Sequence, residues 1–80
     1  MLVGMSVSTL QQKRACLAAN LRAYRLASGL SQEKLALDAE IDRTFVSQIE
    51  RGIGNPSLRI LCQLADRLGV DLTMLFKPAA

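Results

Sequence analysis

Only three residues, Glu40-Ile41-Asp42, separate two stretches of the chain that each read as a short amphipathic helix. A junction this short does not let an antiparallel hairpin turn smoothly, and it suits two helices that cross steeply. The first stretch, about 32 to 39, follows the N-cap residue Ser31 and repeats Leu35, Ala36 and Ala39 on one side, with Lys34 where a capping-box acid would stand. The second, about 43 to 51, follows Asp42 and repeats Phe45, Val46 and Ile49 until Gly52 ends it. The two apolar sides are expected to face each other, with Ala36 small enough for close backbone approach and Ile41 filling the corner.

The remaining punctuation brackets further helical patterns. Ser8 or Thr9 caps a first helix, about 10 to 27, whose apolar positions are Leu10, Leu17, Leu21 and Tyr24 and whose stop is Gly29. Ser57, after Pro56, opens a fourth helix with the buried stripe Leu58, Leu61, Leu64, Ala65 and Leu68, closed by Gly69. Asp71 caps a last turn or two, Leu72 to Phe76, ahead of Pro78. Nothing alternates with period two over a useful length, so the chain reads as all-α with five helices. One domain over residues 10–77 is expected, preceded by a flexible segment 1–9 in which Met5 is an alternative start, and followed by a tail, 78–80.

Composition narrows the function. The 80 residues are 50% hydrophobic and 21% charged with a net charge of +3, too apolar for a disordered chain. No apolar run approaches the ~18 residues of a membrane span, and no secretory signal opens the chain. There is no histidine and no tryptophan, with one tyrosine and two phenylalanines. The commonest general base, the commonest metal ligand and any aromatic platform for single strands are therefore missing. Cys16 and Cys62 form no CxxC pair and have no histidine to complete a zinc set, so both read as buried core thiols in a reducing, cytoplasmic setting. Neither an enzyme, a metal site nor a cofactor is expected. Charge is uneven: residues 1–32 carry Lys13, Arg14, Arg22 and Arg25 with no acid, whereas residues 33–59 set Lys34, Arg43, Arg51 and Arg59 against Glu33, Asp38, Glu40, Asp42 and Glu50. Such a balance accommodates a polyanionic partner without demanding one.

With Val46 and Ile49 turned inward, the outer face of the third helix is Arg43, Thr44, Ser47, Gln48 and Arg51, all polar and suited to a major groove. The run Leu30-Ser31-Gln32 through Leu35-Ala36, then Ser47-Gln48-Ile49-Glu50-Arg51-Gly52, Asn55-Pro56-Ser57 and Leu64-Ala65 to Leu68-Gly69-Val70, resembles the Cro/C1-type helix-turn-helix family of phage repressors and small bacterial regulators. The resemblance covers about residues 17 to 76 and implies a compact five-helix lambda-repressor-like DNA-binding domain, with the helix-turn-helix at helices 2 and 3. The stretch Asp42 to Ser47 with Glu50-Arg51 is also similar to the controller proteins of restriction–modification systems.

The resemblance implies base contacts from Gln32, Arg43, Thr44, Ser47 and Gln48. Arg43 has the geometry for guanine O6 and N7, Gln48 or Gln32 for adenine, and the Thr44 methyl for thymine. Arg51, Asn55 and Arg59, with the free N–H groups at the starts of helices 2 and 4, would hold phosphates. Duller readings stand beside these. A solvated face explains Ser47, Gln48 and Arg59, helix propensity explains Gln32, carbonyls at a helix end explain Arg51, and turn chemistry explains Asn55. Arg43 is the least easily explained away, because a cation in the first helical turn opposes the macrodipole.

The same likeness implies a buried Arg25–Glu50 ion pair of structural purpose. The chain departs from the pattern at Glu40, where members usually carry glycine at positive φ, so a reshaped turn is expected. Leu72, Met74, Leu75 and Phe76 form a candidate homodimer contact, since one recognition helix covers only a few base pairs. Leu72 and Leu75 would equally serve to close the core. The expected activity is a regulator of transcription, a homodimer on a palindromic or pseudopalindromic operator in double-stranded DNA. It would act on its own operon, in a restriction–modification context, and RNA polymerase is a further candidate partner. With no second domain in view, control by protein concentration is expected. The rival reading is an antitoxin-like protein-interaction module on the same fold.

Overall fold

Side-chain oxygens open every helix. In the computed structural model, which describes residues 8–78, the Ser8 hydroxyl accepts from the Gln11 backbone N–H at 3.1 Å while the Gln11 side chain accepts from the Ser8 N–H at 3.2 Å. This reciprocal box starts α1 (Thr9–Ala27). Ser31 caps α2 (Gln32–Ala39), Asp42 caps α3 (Arg43–Glu50) and Ser57 caps α4 (Leu58–Leu68). The first helix thus begins one residue before position 10, with its cap at Ser8. Residues 1–7, including Met5, lie outside the described residues, as do Ala79 and Ala80 of the expected tail.

The carboxyl ends share a second device, a residue in the left-handed region that folds the chain back on the last turn. After α1 it is Gly29, where the Gly29 N–H donates to the Leu26 carbonyl at 3.0 Å and the Leu30 N–H to the Arg25 carbonyl at 3.1 Å. After α2 the position is held by Glu40, at φ 60 and ψ 43. Its N–H donates to the Leu37 carbonyl at 3.1 Å and the Ile41 N–H to the Ala36 carbonyl at 3.0 Å. The turn is therefore not reshaped. Two hydrogen bonds and the packing of Ile41 against the core hold a conformation that costs a non-glycine residue about 1–2 kcal/mol.

The fifth segment is not an α-helix. Leu72–Phe76 is a 3₁₀ helix, capped by Asp71, whose carbonyl accepts the Met74 N–H at 2.9 Å. Five residues are too few for a ladder of longer-range bonds, so the tighter turn wins. Among the described residues, four α-helices and one 3₁₀ helix replace the expected five.

The core is built from Leu17 and Leu21 of α1, Leu35, Ala36 and Ala39 of α2, Val46 and Ile49 of α3, Leu61, Leu64 and Ala65 of α4, and Leu75. α1 packs on α3 and the 3₁₀ helix, and α2 packs on α3 and α4. The Asn20 amide clamps the chain end by donating to the carbonyls of Leu75 at 3.0 Å and Lys77 at 2.7 Å. Asp38 joins α2 to α4, accepting from Arg67 Nε at 2.7 Å and from Lys34 Nζ at 3.0 Å.

Several expected core positions are not core. Leu10 and Leu58 are 50% and 66% exposed, each in the first turn of its helix where neighbouring elements cover it only in part, and Phe45 is 40% exposed. Cys62 is exposed and Cys16 half-buried, both free, because neither falls on the inward stripe of its helix. Among the described residues no helix is long and apolar enough to cross a membrane.

Glu40→Gly is expected to stabilise the fold by about 1 kcal/mol, which raises Tm by about 4–8 °C in a domain of this size; an unchanged or lower Tm would show that Glu40 is unstrained. Acid should act in a defined direction. The Arg67 guanidinium and Lys34 ammonium hold the Asp38 carboxyl below the usual carboxylate range, and hydrogen bonds from Thr44 and Thr73 do the same for Asp42 and Asp71. With folded values below unfolded ones, the unfolded chain binds more protons, so this stabilisation is complete above the ordinary aspartate value and is lost as pH falls through the lowered ones. Urea midpoints at pH 5 and pH 3 should therefore differ less in Asp38→Asn than in the parent.

Candidate nucleic-acid interface

α3 has only eight residues, and its two fully buried side chains, Val46 and Ile49, commit one flank to α1 and α2. The opposite flank carries Arg43, Thr44 and Gln48, all exposed, with Ser47 half-buried between them and Arg51 exposed at the end. Asp42 Oδ1 accepts the Thr44 N–H at 2.7 Å, which fixes the start of the helix and the direction of its first turn. Arg43 lies on the α2 side of this face, in a groove it shares with Ser31, Glu33, Lys34 and Leu37. Arg43, Thr44, Ser47, Gln48 and Arg51 thus form one polar surface, and the four exposed ones, Arg43, Thr44, Gln48 and Arg51, are not buried under another helix.

The expected ion pair is present and more extensive than a pair. Arg25 Nε and Nη2 donate to the two Glu50 carboxylate oxygens at 2.6 and 2.9 Å, and Arg25 Nη1 donates to the Leu30 carbonyl at 2.8 Å. Both side chains are nearly covered, at 9% and 2% exposure. The Glu50 carboxylate raises the Arg25 pKa still further above its usual value, so the guanidinium is permanently charged. Gln32 Nε2 donates to Glu50 Oε1 at 3.0 Å. Because a carboxylate only accepts, the Gln32 amide nitrogen must be the end turned inward, and its oxygen is left as the acceptor on the outer side. Gln32 is therefore half-buried and attached to the ion pair, whereas the other four proposed base readers are carried by α3.

The proposed phosphate-holding residues fall on the loop and helix that follow. Arg51, Asn55 and Arg59 are all exposed. Asn55 and Arg59 border a groove of about 550 Å³ with Glu40, Asp42, Phe45 and Ile60, so acidic as well as basic groups lie along it. The loop presses against α3 at Gly54, where a Cβ would stand 3.3 Å from Gln48 Cβ and from the Ile49 nitrogen. The Gly54 carbonyl accepts from Arg14 Nε at 2.9 Å, which fastens the loop to α1. Phe45 was missed as a surface residue. It adjoins Val46 in sequence, and in an eight-residue helix adjacent positions diverge by about 100°, so only one of them reaches the centre of the buried stripe.

The four residues offered as a dimer contact do not form one surface. Leu75 is wholly buried in the chain's own core, which removes it as a contact residue, while Leu72, Met74 and Phe76 are half-buried.

Two short helices joined by the turn Glu40-Ile41-Asp42, the second with an apolar inner and a polar outer flank, define a helix-turn-helix domain. Residues 21–75 match the model of that family, described as Helix-turn-helix, and the chain belongs to it. A hypothetical transcription factor of Neisseria meningitidis serogroup B (strain MC58) is 43% identical over 68 residues, covering 85% of this chain and 64% of that protein. The HTH-type transcriptional regulator SlrR of Bacillus subtilis is 39% identical over 57 residues, 70% of this chain and 38% of its own length. Control protein C.BamHI of Bacillus amyloliquefaciens is 44% identical over 52 residues, 64% of each chain. The chain thus spans less than two thirds of each of these three relatives. The solved Neisseria factor superposes with a TM-score of 0.80 at 38% identity, over 96% of this chain and 86% of that one. The restriction–modification controller protein C.AhdI from Aeromonas hydrophila gives 0.75 at 40% identity, over 79% and 96%. These relatives are named as regulators and not as enzymes.

Arg25→Ala or Glu50→Gln should each cost about 3–5 kcal/mol of folding stability by leaving the other member without its charge partner. Gln32→Ala, which leaves that pair whole, should cost far less. Urea unfolding of the three variants tests this, and equal losses would show that Gln32 is a structural member of the network.

Proposed function

We infer that the protein is a sequence-specific double-stranded DNA-binding regulator of transcription that reads a palindromic or pseudopalindromic operator as a homodimer. The observation that carries the reading is the two-sided build of α3, with Val46 and Ile49 buried and Arg43, Thr44 and Gln48 exposed on the other flank. In this reading Arg43 donates two hydrogen bonds to one guanine, Gln48 pairs with adenine and the Thr44 methyl meets thymine. Ser47 adds a hydroxyl, and Gln32 offers its outward amide oxygen. Arg51, Asn55, Arg59 and the free N–H groups that open α2 and α4 hold phosphates and set the register.

Two half-sites about 34 Å apart bring both recognition helices to one face of the duplex. Leu72, Met74 and Phe76 are the residues proposed to meet their counterparts across the two-fold axis. The likeness to control protein C.BamHI and to the controller protein C.AhdI supports a restriction–modification operon as the target, with the protein's own promoter included.

A fluorescence titration against an operator selected from random duplexes and against its scrambled form tests the reading. With about six phosphate contacts per dimer, the slope of log affinity against log salt should lie near −5. Arg43→Ala should lose about 1–3 kcal/mol of discrimination at one base pair and leave Tm unchanged. Equal affinity for both duplexes overturns sequence specificity. Absence of binding to either favours the antitoxin-like interaction module.

A further inference from the structure

The face of α1 turned toward the end of α3 is not used by the contacts described so far. Gln11, Arg14, Ala15 and Ala18 of α1 form one wall of an open trough of about 430 Å³, and Glu50 to Ile53 form the other. Arg22 stands one turn beyond Ala18 on the same side of the helix and is exposed. Arg51 belongs both to this trough and to the outer flank of α3, so the two surfaces are continuous.

The trough is cationic in effect. Arg14 and Arg51 line it and Arg22 stands just beyond its end, α1 carries no acidic residue, and the one carboxylate in the lining, Glu50, is neutralised by the bidentate Arg25. Arg14 is fixed by its Nε on the Gly54 carbonyl, while the hydrogen bonds of the described residues leave Nη1 and Nη2 unengaged. Between the arginines the floor is alanine, which lets a bulky chain approach the helix closely. A partner seated there needs regular negative charge and a smooth backbone, and it must run on from the surface that α3 presents.

We propose that this trough seats the phosphate backbone of the same DNA duplex, with Arg14 and Arg22 holding phosphates next to the one assigned to Arg51 and beyond those reached from α2, the α3–α4 loop and α4. The assignment rests on the DNA-binding reading given above. It makes α1 a positioning element of the complex as well as the support of α3, and it accounts for the concentration of unopposed positive charge in an element that reads no bases.

Arg22→Gln removes one such interaction and Ala18→Glu places a carboxylate on the floor. Lys13→Gln is the matched control, because Lys13 lies on α1 but borders a different cavity, with Leu10, Pro56 and Phe76. Each is titrated with the selected operator and its scrambled form at 50 and 200 mM salt, with Tm and sedimentation measured alongside. Each phosphate no longer held should lower the magnitude of the salt slope by about 1 and shrink the ratio of affinities between the two salts by about 3.5-fold. Arg22→Gln, which frees two phosphates per dimer, should lower the magnitude of the slope by about 2 and shrink that ratio by about 12-fold for both duplexes with base preference intact, Ala18→Glu should weaken binding more, and Lys13→Gln should leave the slope unchanged. Equal effects from Arg22→Gln and Lys13→Gln would reduce the result to net charge and overturn the seat, as would unchanged slopes in both trough variants. A change in sedimentation with DNA affinity intact would assign the trough to a second copy of the chain instead. Failure of the parent protein to bind any duplex would sink the DNA-binding reading itself. Sequence-specific binding that depends on Arg43 but ignores the trough variants would sink only this assignment.

Discussion

The Arg25 guanidinium is the joint on which the arrangement turns. It reaches Glu50 at the end of α3, the Leu30 carbonyl between α1 and α2, and through Glu50 the amide of Gln32 at the start of α2. Three helices are thus referred to one planar group with fixed donor directions. Such a group admits few arrangements of its partners, and removing either Arg25 or Glu50 leaves the other's charge without its partner. Among the described residues no buried side-chain nitrogen or oxygen lacks a partner, so the network is complete. Its net contribution to stability need not be large, because a well-packed apolar replacement often does as well. What it supplies is an orientation: α3 cannot slide along α1 without breaking two charged hydrogen bonds.

That orientation adds to the apolar contact of α2 with α3, where Leu35, Ala36 and Ala39 share one core with Val46 and Ile49. Ala36 and Ala39 are small, so they let the two backbones approach closely but interlock less than large residues would. The hinge at Glu40 adds to the constraint. It keeps the left-handed geometry that a glycine would take freely, and the backbone bonds of Glu40 and Ile41 tie it to the last turn of α2. The crossing of the two helices is therefore set at three points: the hinge, the small-residue contact and the ion pair.

Much of this was legible because it is encoded locally. Ser8, Ser31, Asp42 and Ser57 are caps whose effect is exerted within three residues, and Gly29, Gly52 and Gly69 are stops for the same reason. The outward flank of α3 followed from the period of its apolar residues. The misreadings lie where the outcome depends on distant parts of the chain. A periodic stripe does not reveal its own width, so Leu10, Phe45 and Leu58 at its margins read as core although they stay largely exposed. Cys62 was placed by residue type, against its position on α4. Leu75 looked like a surface contact because its segment is short and apolar, and only the return of the chain onto α1 puts it at the centre of the core. At Glu40 a local rule predicted a change of shape, and the surrounding hydrogen bonds overrode it.

The distribution of charge gives these local facts a common consequence. From residue 33 to 59 acids slightly outnumber bases, so the part of the chain with the reading geometry attracts a polyanion weakly. The unopposed positive charge resides on α1. In the proposed complex, attraction and discrimination fall to different elements, and they act on one duplex only if those elements hold a fixed relation. Arg25 provides that relation while its own charge is neutralised by Glu50. On that proposal a change at the ion pair disturbs folding and binding together, whereas a change at an exposed residue of either element separates them, and a domain with so modest a net charge depends on the placement of its charges rather than on their number.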